Sequence, residues 1–133
     1  MKRPRIVMLC THNAGRSQIA AAWACHLGGE KVEVLSGGSE PAAEVNPHAV
    51  EAMAEVGIDI GRARPTRFTD EMVKTADRVI TMGCGEECPY FPGVVYEDWD
   101  IPDPSGMDLE FVRGVRDLLK GKVETLLKTL DVG

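Results

Sequence analysis

The chain has 133 residues, 44% of them hydrophobic, and a formal net charge of −6 at pH 7. That length and apolar content suit a single domain over residues 1–133 with a core that needs no disulfide staples, and the acidic balance argues against nucleic acid as a partner, because phosphate backbones are held by clustered basic residues. Lys2, Arg3 and Arg5 are followed by too short an apolar run for a secretory leader, and no stretch is long enough to cross a bilayer, so the cytoplasm is the expected compartment and the four cysteines are expected to be reduced thiols.

The run Ile6-Val7-Met8-Leu9 reads as a short buried strand over Arg5–Cys10 that delivers Cys10 to the turn Thr11-His12-Asn13-Ala14-Gly15-Arg16. A helix over Ser17–Leu27 follows. Its first amides, its dipole and the Arg16 guanidinium all favour a thiolate over a thiol at Cys10, and the same donors suit a tetrahedral oxyanion. A cysteine ending a strand can be plain core packing, but that reading leaves Arg16 and the small Ala14-Gly15 pair unexplained. Ser17 is expected to cap the helix and to donate to the Cys10 sulfur. Asn13 either orders the loop through its amide or serves as a left-handed turn residue, and His12 is either added positive charge or an exposed loop residue. Cys25 reads as core packing beside Trp23 and Leu27, with His26 on the helix surface.

Gly28-Gly29 ends this helix, and a strand over Val32–Ser36 comes next. Asn46-Pro47 then supplies a cap and a first-turn proline for a helix over Pro47–Val56, with His48 as an ordinary surface residue and Gly57 as the stop. A short helix over Asp70–Lys74 and strands over Arg78–Met82 and Val94–Glu97 precede a long final helix over Asp108–Leu130. In that helix Leu109, Val112, Leu119, Val123, Leu126, Leu127 and Leu130 form one buried stripe, interrupted by Arg116.

This alternation predicts an α/β fold built on a parallel sheet, whose functional loops gather beyond the carboxyl ends of the strands. Cys10, Cys84 and Asp103 all follow predicted strands and are therefore expected to converge. Asp103 sits in Ile-Pro-Asp-Pro-Ser-Gly, where flanking prolines fix its approach as a proton donor. Asp98 and Asp100 compete for that role, and a merely solvated acidic loop is the plainer alternative. A zinc site joining Cys84 and Cys88 to Cys25 and His26 is disfavoured by the Cys-x3-Cys spacing and by the divergence of adjacent helical side chains.

Cys10-x5-Arg16-Ser17 after a strand, Ser36-Gly37-Gly38 and the late Asp103-Pro104 resemble the low-molecular-weight protein tyrosine phosphatase family over nearly the whole chain. Thr11, Asn13 and Ser17-Gln18, with Met82-Gly83-Cys84 through Cys88-Pro89 and Asp98 through Gly106, resemble the arsenate reductases that share its fold. The resemblance implies a three-layer sandwich around a four-stranded parallel sheet, with Thr11, His12, Asn13, Ala14, Gly15 and Arg16 holding the oxyanion, arsenate, whose place phosphate or sulfate could take.

It also implies a relay in which Cys10 attacks arsenate, Cys84 attacks the Cys10 sulfur to expel arsenite, and Cys88 attacks Cys84 to leave a disulfide that thioredoxin resets. Gly83 and Gly85 would let the 83–89 segment rearrange, so it is expected to be mobile. No cofactor is expected to bind tightly and a monomer is expected. Ala21 stands where such reductases carry a glutamate that helps hold structural potassium, which argues against dependence on that ion. The alternatives are a phosphatase acting on phosphomonoesters through a phosphocysteine on Cys10, and an oxyanion-binding module with a redox switch and no turnover.

Overall fold

The structure, a computed structural model, describes residues 3–83 and 88–131. Strand β1 (Arg5–Cys10) leads through helix α1 (Arg16–Gly28) and a 3-10 turn (Gly29–Lys31) into β2 (Glu33–Gly38). Helices α2 (Pro47–Ala54) and α3 (Asp70–Lys74) precede β3 (Arg78–Thr81), β4 (Tyr96–Asp98) and the long helix α4 (Leu109–Thr129). All strand pairings are parallel, and the order across the sheet is β2-β1-β3-β4.

β1 is therefore central, with the chain passing first to one side of it and then to the other. That reversal is the switch point at which open α/β sheets hold ligands, and the loop that leaves β1 at Cys10 sits there. Val7 through Leu9 are fully buried because both sheet faces are covered. Ile6, Met8 and Cys10 pack with α1, α2 and α4, whereas Val7 and Leu9 join Phe68, Val73, Ala76 and Val79 on the opposite face. These two cores make the expected three layers. Among the described residues, no helix is long and apolar enough to cross a membrane.

β2 runs two residues beyond its sequence signal, through Gly37 and Gly38, which pair with Leu9 and Cys10. Glycine is poor in strands generally, but here close packing demands it. A Cβ at Gly37 would stand 2.9 Å from the Phe68 backbone, and one at Gly38 would stand 2.5 Å from the Thr11 carbonyl oxygen. β4 starts later than expected and ends at Asp98.

Asn46 caps α2 by accepting from the His48 amide, with Pro47 in the first turn. Arg116, the break in the α4 stripe, is explained by Glu55 and the Ala52 carbonyl, which its guanidinium contacts at 2.8 and 2.9 Å. Val115 is a further buried member of that stripe.

Candidate active site

Cys10 is only 2% exposed, at the end of the central strand. Its Sγ lies 2.9 Å from Ser17 Oγ and 3.3 Å from the Asn13 amide nitrogen, which donates to it. Ser17 is not the helix cap that the sequence suggested. Gly15 holds the cap position without a side-chain bond, and Ser17 lies inside the first turn, where its hydroxyl reaches the sulfur.

Asn13 fulfils both of its expected readings. It is fully buried with φ +48°, and its Nδ2 donates to Ser17 Oγ at 2.6 Å while its Oδ1 accepts from Thr66 N at 2.9 Å. Gln18 Nε2 donates to the Asn13 carbonyl at 3.0 Å. Because Asn13 donates to the Ser17 oxygen, the serine proton is free to point at Cys10.

The segment after β2 secures the other side of the loop, a role without a local sequence signal. The amides of Glu40, Ala42 and Asn46 donate to the carbonyls of Thr11, His12 and Ala14 at 2.8–3.0 Å. With these carbonyls occupied, the polar capacity the loop retains for an anion lies in its N–H groups.

Arg16 is buried, and one of its guanidinium nitrogens stands 3.7 Å from Asp103 Oδ2. A Cβ at Gly83 would strike that guanidinium, and Thr11 Oγ1 donates to the Gly83 carbonyl at 3.1 Å. Gly83 thus touches both ends of the oxyanion loop. Cys84, which follows it, lies outside the described residues, as does most of the 83–89 segment expected to rearrange.

Asp103 is half exposed and belongs to a tight turn in which its Oδ1 accepts from Ser105 N at 3.0 Å. Pro104 packs so closely on the loop that a Cβ at Gly15 would stand 2.8 Å from it. A cavity of about 540 Å³ is walled by Cys10, His12, Arg16, Glu44, His48 and Asp103, among others. The two competing aspartates are not in that wall. Asp98 accepts from Thr81 Oγ1 in the sheet, and Asp100 is exposed elsewhere. His12 is exposed and lines the same cavity.

Two side chains fall elsewhere than their helical positions predict. His48 is half-buried in the cavity wall, with Nδ1 3.0 Å from the Met107 carbonyl oxygen. Helical periodicity gave no sign of this, because the contact crosses to a loop 59 residues away. Cys25 is exposed rather than core filler, since the buried stripe of α1 runs through Ile19, Ala20, Trp23 and Ala24. Packing about its sulfur nonetheless pushes the thiol pKa up.

Cys10 and Cys25 are free thiols, whereas Cys88 is disulfide-bonded and packs against the core formed by Val7, Leu9 and Val79. That core lies across the sheet from α1, which separates Cys88 from Cys25 and His26. Among the described residues, no group of three or more His, Cys, Asp or Glu side chains could hold a metal ion.

A thiol at the switch point of a parallel sheet, inside a loop that presents N–H groups and an arginine, defines a cysteine-centred oxyanion-handling enzyme. Residues 5–132 match the family described as low molecular weight phosphotyrosine protein phosphatase, and the chain belongs to that family. It is 37% identical over 129 residues to arsenate reductase 1 of Staphylococcus epidermidis, an alignment covering 94% of this chain and 96% of that protein. It is also similar to a thioredoxin-dependent arsenate reductase of Corynebacterium glutamicum, with a TM-score of 0.86 and 40% identity over 97% of this chain. The present chain spans only 62% of that structure's length. An arginine phosphatase from Geobacillus stearothermophilus has a TM-score of 0.83 at 30% identity, covering 96% of this chain and 93% of that one.

Proposed function

We propose that the chain reduces arsenate to arsenite, with Cys10 as the nucleophile and Cys84 and Cys88 as its redox relay. The Cys10 thiolate attacks arsenic, and a proton from Asp103 lets one arsenate oxygen depart as water. Thr11, His12, Asn13, Ala14, Gly15 and Arg16 hold the remaining oxygens. Cys84 then attacks the Cys10 sulfur, and the electron pair of the sulfur–arsenic bond stays with arsenic, which leaves as arsenite. Cys88 attacks Cys84 in turn, freeing Cys10 and leaving a Cys84–Cys88 disulfide. Thioredoxin supplies the two electrons that restore the thiols.

The reading is carried by the meeting of Cys10, Arg16 and Asp103 at one cavity, in a chain alignable along nearly its whole length with proteins named arsenate reductases. The enzyme works as a one-domain cytoplasmic monomer without a tightly bound cofactor. Half-buried Ala21 offers no side-chain oxygen to potassium, which argues against dependence on that ion.

Phosphomonoester hydrolysis is the second reading, favoured by the match to the phosphotyrosine protein phosphatase family and by a cavity larger than one tetrahedral oxyanion requires. One substitution separates the two. With arsenate, thioredoxin, its reductase and a nicotinamide reductant, the reductase reading expects steady oxidation that needs both arsenate and thioredoxin and that stops after one adduct per enzyme in Cys84→Ser. A Cys84→Ser protein that turns over phosphomonoesters normally, from a parent inactive on arsenate, would establish the phosphatase instead.

A further inference from the structure

We propose that His48 is a positioning residue that holds the Asp103 turn over Cys10; this rests on the role given to Asp103 above. The contacts form a closed circuit. The Asn46 amide donates to the Ala14 carbonyl of the oxyanion loop at 2.8 Å, and Asn46 Oδ1 accepts from the His48 amide at 2.9 Å. The His48 ring crosses from α2 to the acid turn, where Nδ1–H donates to the Met107 carbonyl at 3.0 Å. The Met107 amide closes that turn on the Pro104 carbonyl at 3.0 Å, and Pro104 rests on Gly15, the neighbour of Ala14.

Asp103 itself is tied within its turn through Ser105 and only loosely to Arg16. The position of its carboxyl relative to the sulfur therefore depends on how the whole turn is held. Gly106, at φ +75°, gives the turn its reversal but no side chain with which to anchor. Pro104 supplies one anchor on the loop side, and His48 supplies the other from α2. Misplacing an acid by about an ångström reduces rate while leaving ground-state anion binding to other groups intact.

The test compares His48→Ala, His48→Asn, Asp103→Asn and the Ala/Asn double variant. An asparagine amide nitrogen falls near the place of Nδ1 and can donate in its stead. Pre-reduced protein is mixed with arsenate without thioredoxin, and arsenite is measured by rapid quench as a function of arsenate concentration. His48→Ala is expected to lower the saturating rate by about fivefold to tenfold, the effect of losing one ordinary hydrogen bond. The half-saturating arsenate concentration should stay within about twofold, His48→Asn should recover most of the rate, and His48→Ala should add nothing to Asp103→Asn. An unchanged rate, a loss that persists in the Asp103→Asn background, or no recovery with asparagine overturns the proposal.

Amide hydrogen exchange across residues 103–108 tests the anchor independently of chemistry. Faster exchange in His48→Ala, restored in His48→Asn, supports it, and unchanged exchange overturns it even if the protein forms no arsenite. Absence of arsenite from the parent protein would count against the reductase reading alone, whereas a normal rate in Asp103→Asn would remove both the acid and its anchor.

Discussion

The guanidinium of Arg16 lies 3.7 Å from the carboxylate of Asp103, and the two differ sharply in exposure: the arginine side chain is 10% exposed and the aspartate 50%. Arg16 is thus fixed and Asp103 faces solvent, which suits a clamp and a proton donor respectively. Arg16→Lys keeps the charge but loses the planar fork, so oxyanion affinity should fall by about 10–100-fold, the equivalent of a lost charge-assisted bond. Asp103→Asn should cut the rate by about 10²–10⁴ while leaving affinity intact or improved, because a carboxylate no longer competes for the guanidinium. Calorimetric phosphate binding and single-turnover arsenite formation separate these effects; equal losses in both measurements for both variants would refute the division of labour.

Ser17 and Asn13 give the second expectation. Ser17 Oγ receives the Asn13 amide proton at 2.6 Å and faces the Cys10 sulfur at 2.9 Å. Ser17→Ala removes a donor from the sulfur and strands the Asn13 amide in a buried site. Alkylation of Cys10 by iodoacetamide and single-turnover reduction should both slow by about tenfold, with stability reduced by about 1–3 kcal/mol. Ser17→Cys, whose thiol is a weaker donor, should fall between serine and alanine. Alkylation as fast in Ser17→Ala as in the parent would show that the hydroxyl does not act on the sulfur.

Glu55 ties α2 to α4, and this pair supplies a pH expectation. Its carboxylate accepts from Arg113 at 2.6 Å and from Arg116 at 2.8 Å, and the Arg113 bond first, then Arg116, holds its pKa down at about 2. A carboxyl whose folded pKa lies below its unfolded value stabilises the protein above the unfolded value, near 4.5, and loses that contribution as pH falls toward about 2. Glu55→Gln should therefore be less stable than the parent at neutral pH, with the difference vanishing between pH about 4.5 and about 2. Denaturant midpoints of both proteins across that range check it. A difference that persists undiminished at the acid end would mean the pair contributes through packing rather than charge.

The sheet, the loop and the acid turn were legible in the sequence because each rests on a local signal. A β-branched and apolar run ends at Cys10, small residues and an arginine follow it, and prolines bracket Asp103. What was not legible depends on contacts made across long stretches of chain. Gly37 and Gly38 signal a strand end by propensity, yet they continue β2 because Phe68 and Thr11 leave no room for a side chain. The roles of His48 and of the 40–46 segment lie in bonds to Met107 and to the loop carbonyls, which no periodicity records. Ser17 has a residue type that favours caps, yet it sits two residues past the Gly15 cap, where its hydroxyl reaches the Cys10 sulfur.

Gly83 yields the last prediction, since it combines a left-handed backbone with a close approach to the site. Its φ is +91°, a Cβ there would strike the Arg16 guanidinium, and its carbonyl accepts from Thr11 Oγ1 at 3.1 Å. Gly93 has nearly the same backbone, φ +89°, with nothing within 4 Å of a Cβ. Alanine at either position carries the strain of a non-glycine residue there, about 1–3 kcal/mol. Only at Gly83 must the arginine also move. Gly83→Ala and Gly93→Ala should therefore lose similar stability in denaturant, while phosphate affinity falls by about tenfold or more in Gly83→Ala alone. Because the clash falls on the tip of a long side chain, Arg16 can swing aside and the fold survives, so the cost is concentrated in anion binding. If Gly83→Ala binds phosphate as tightly as Gly93→Ala, the guanidinium does not need the position it holds beside Gly83, and the coupling between the oxyanion loop and the start of the 83–89 segment is absent.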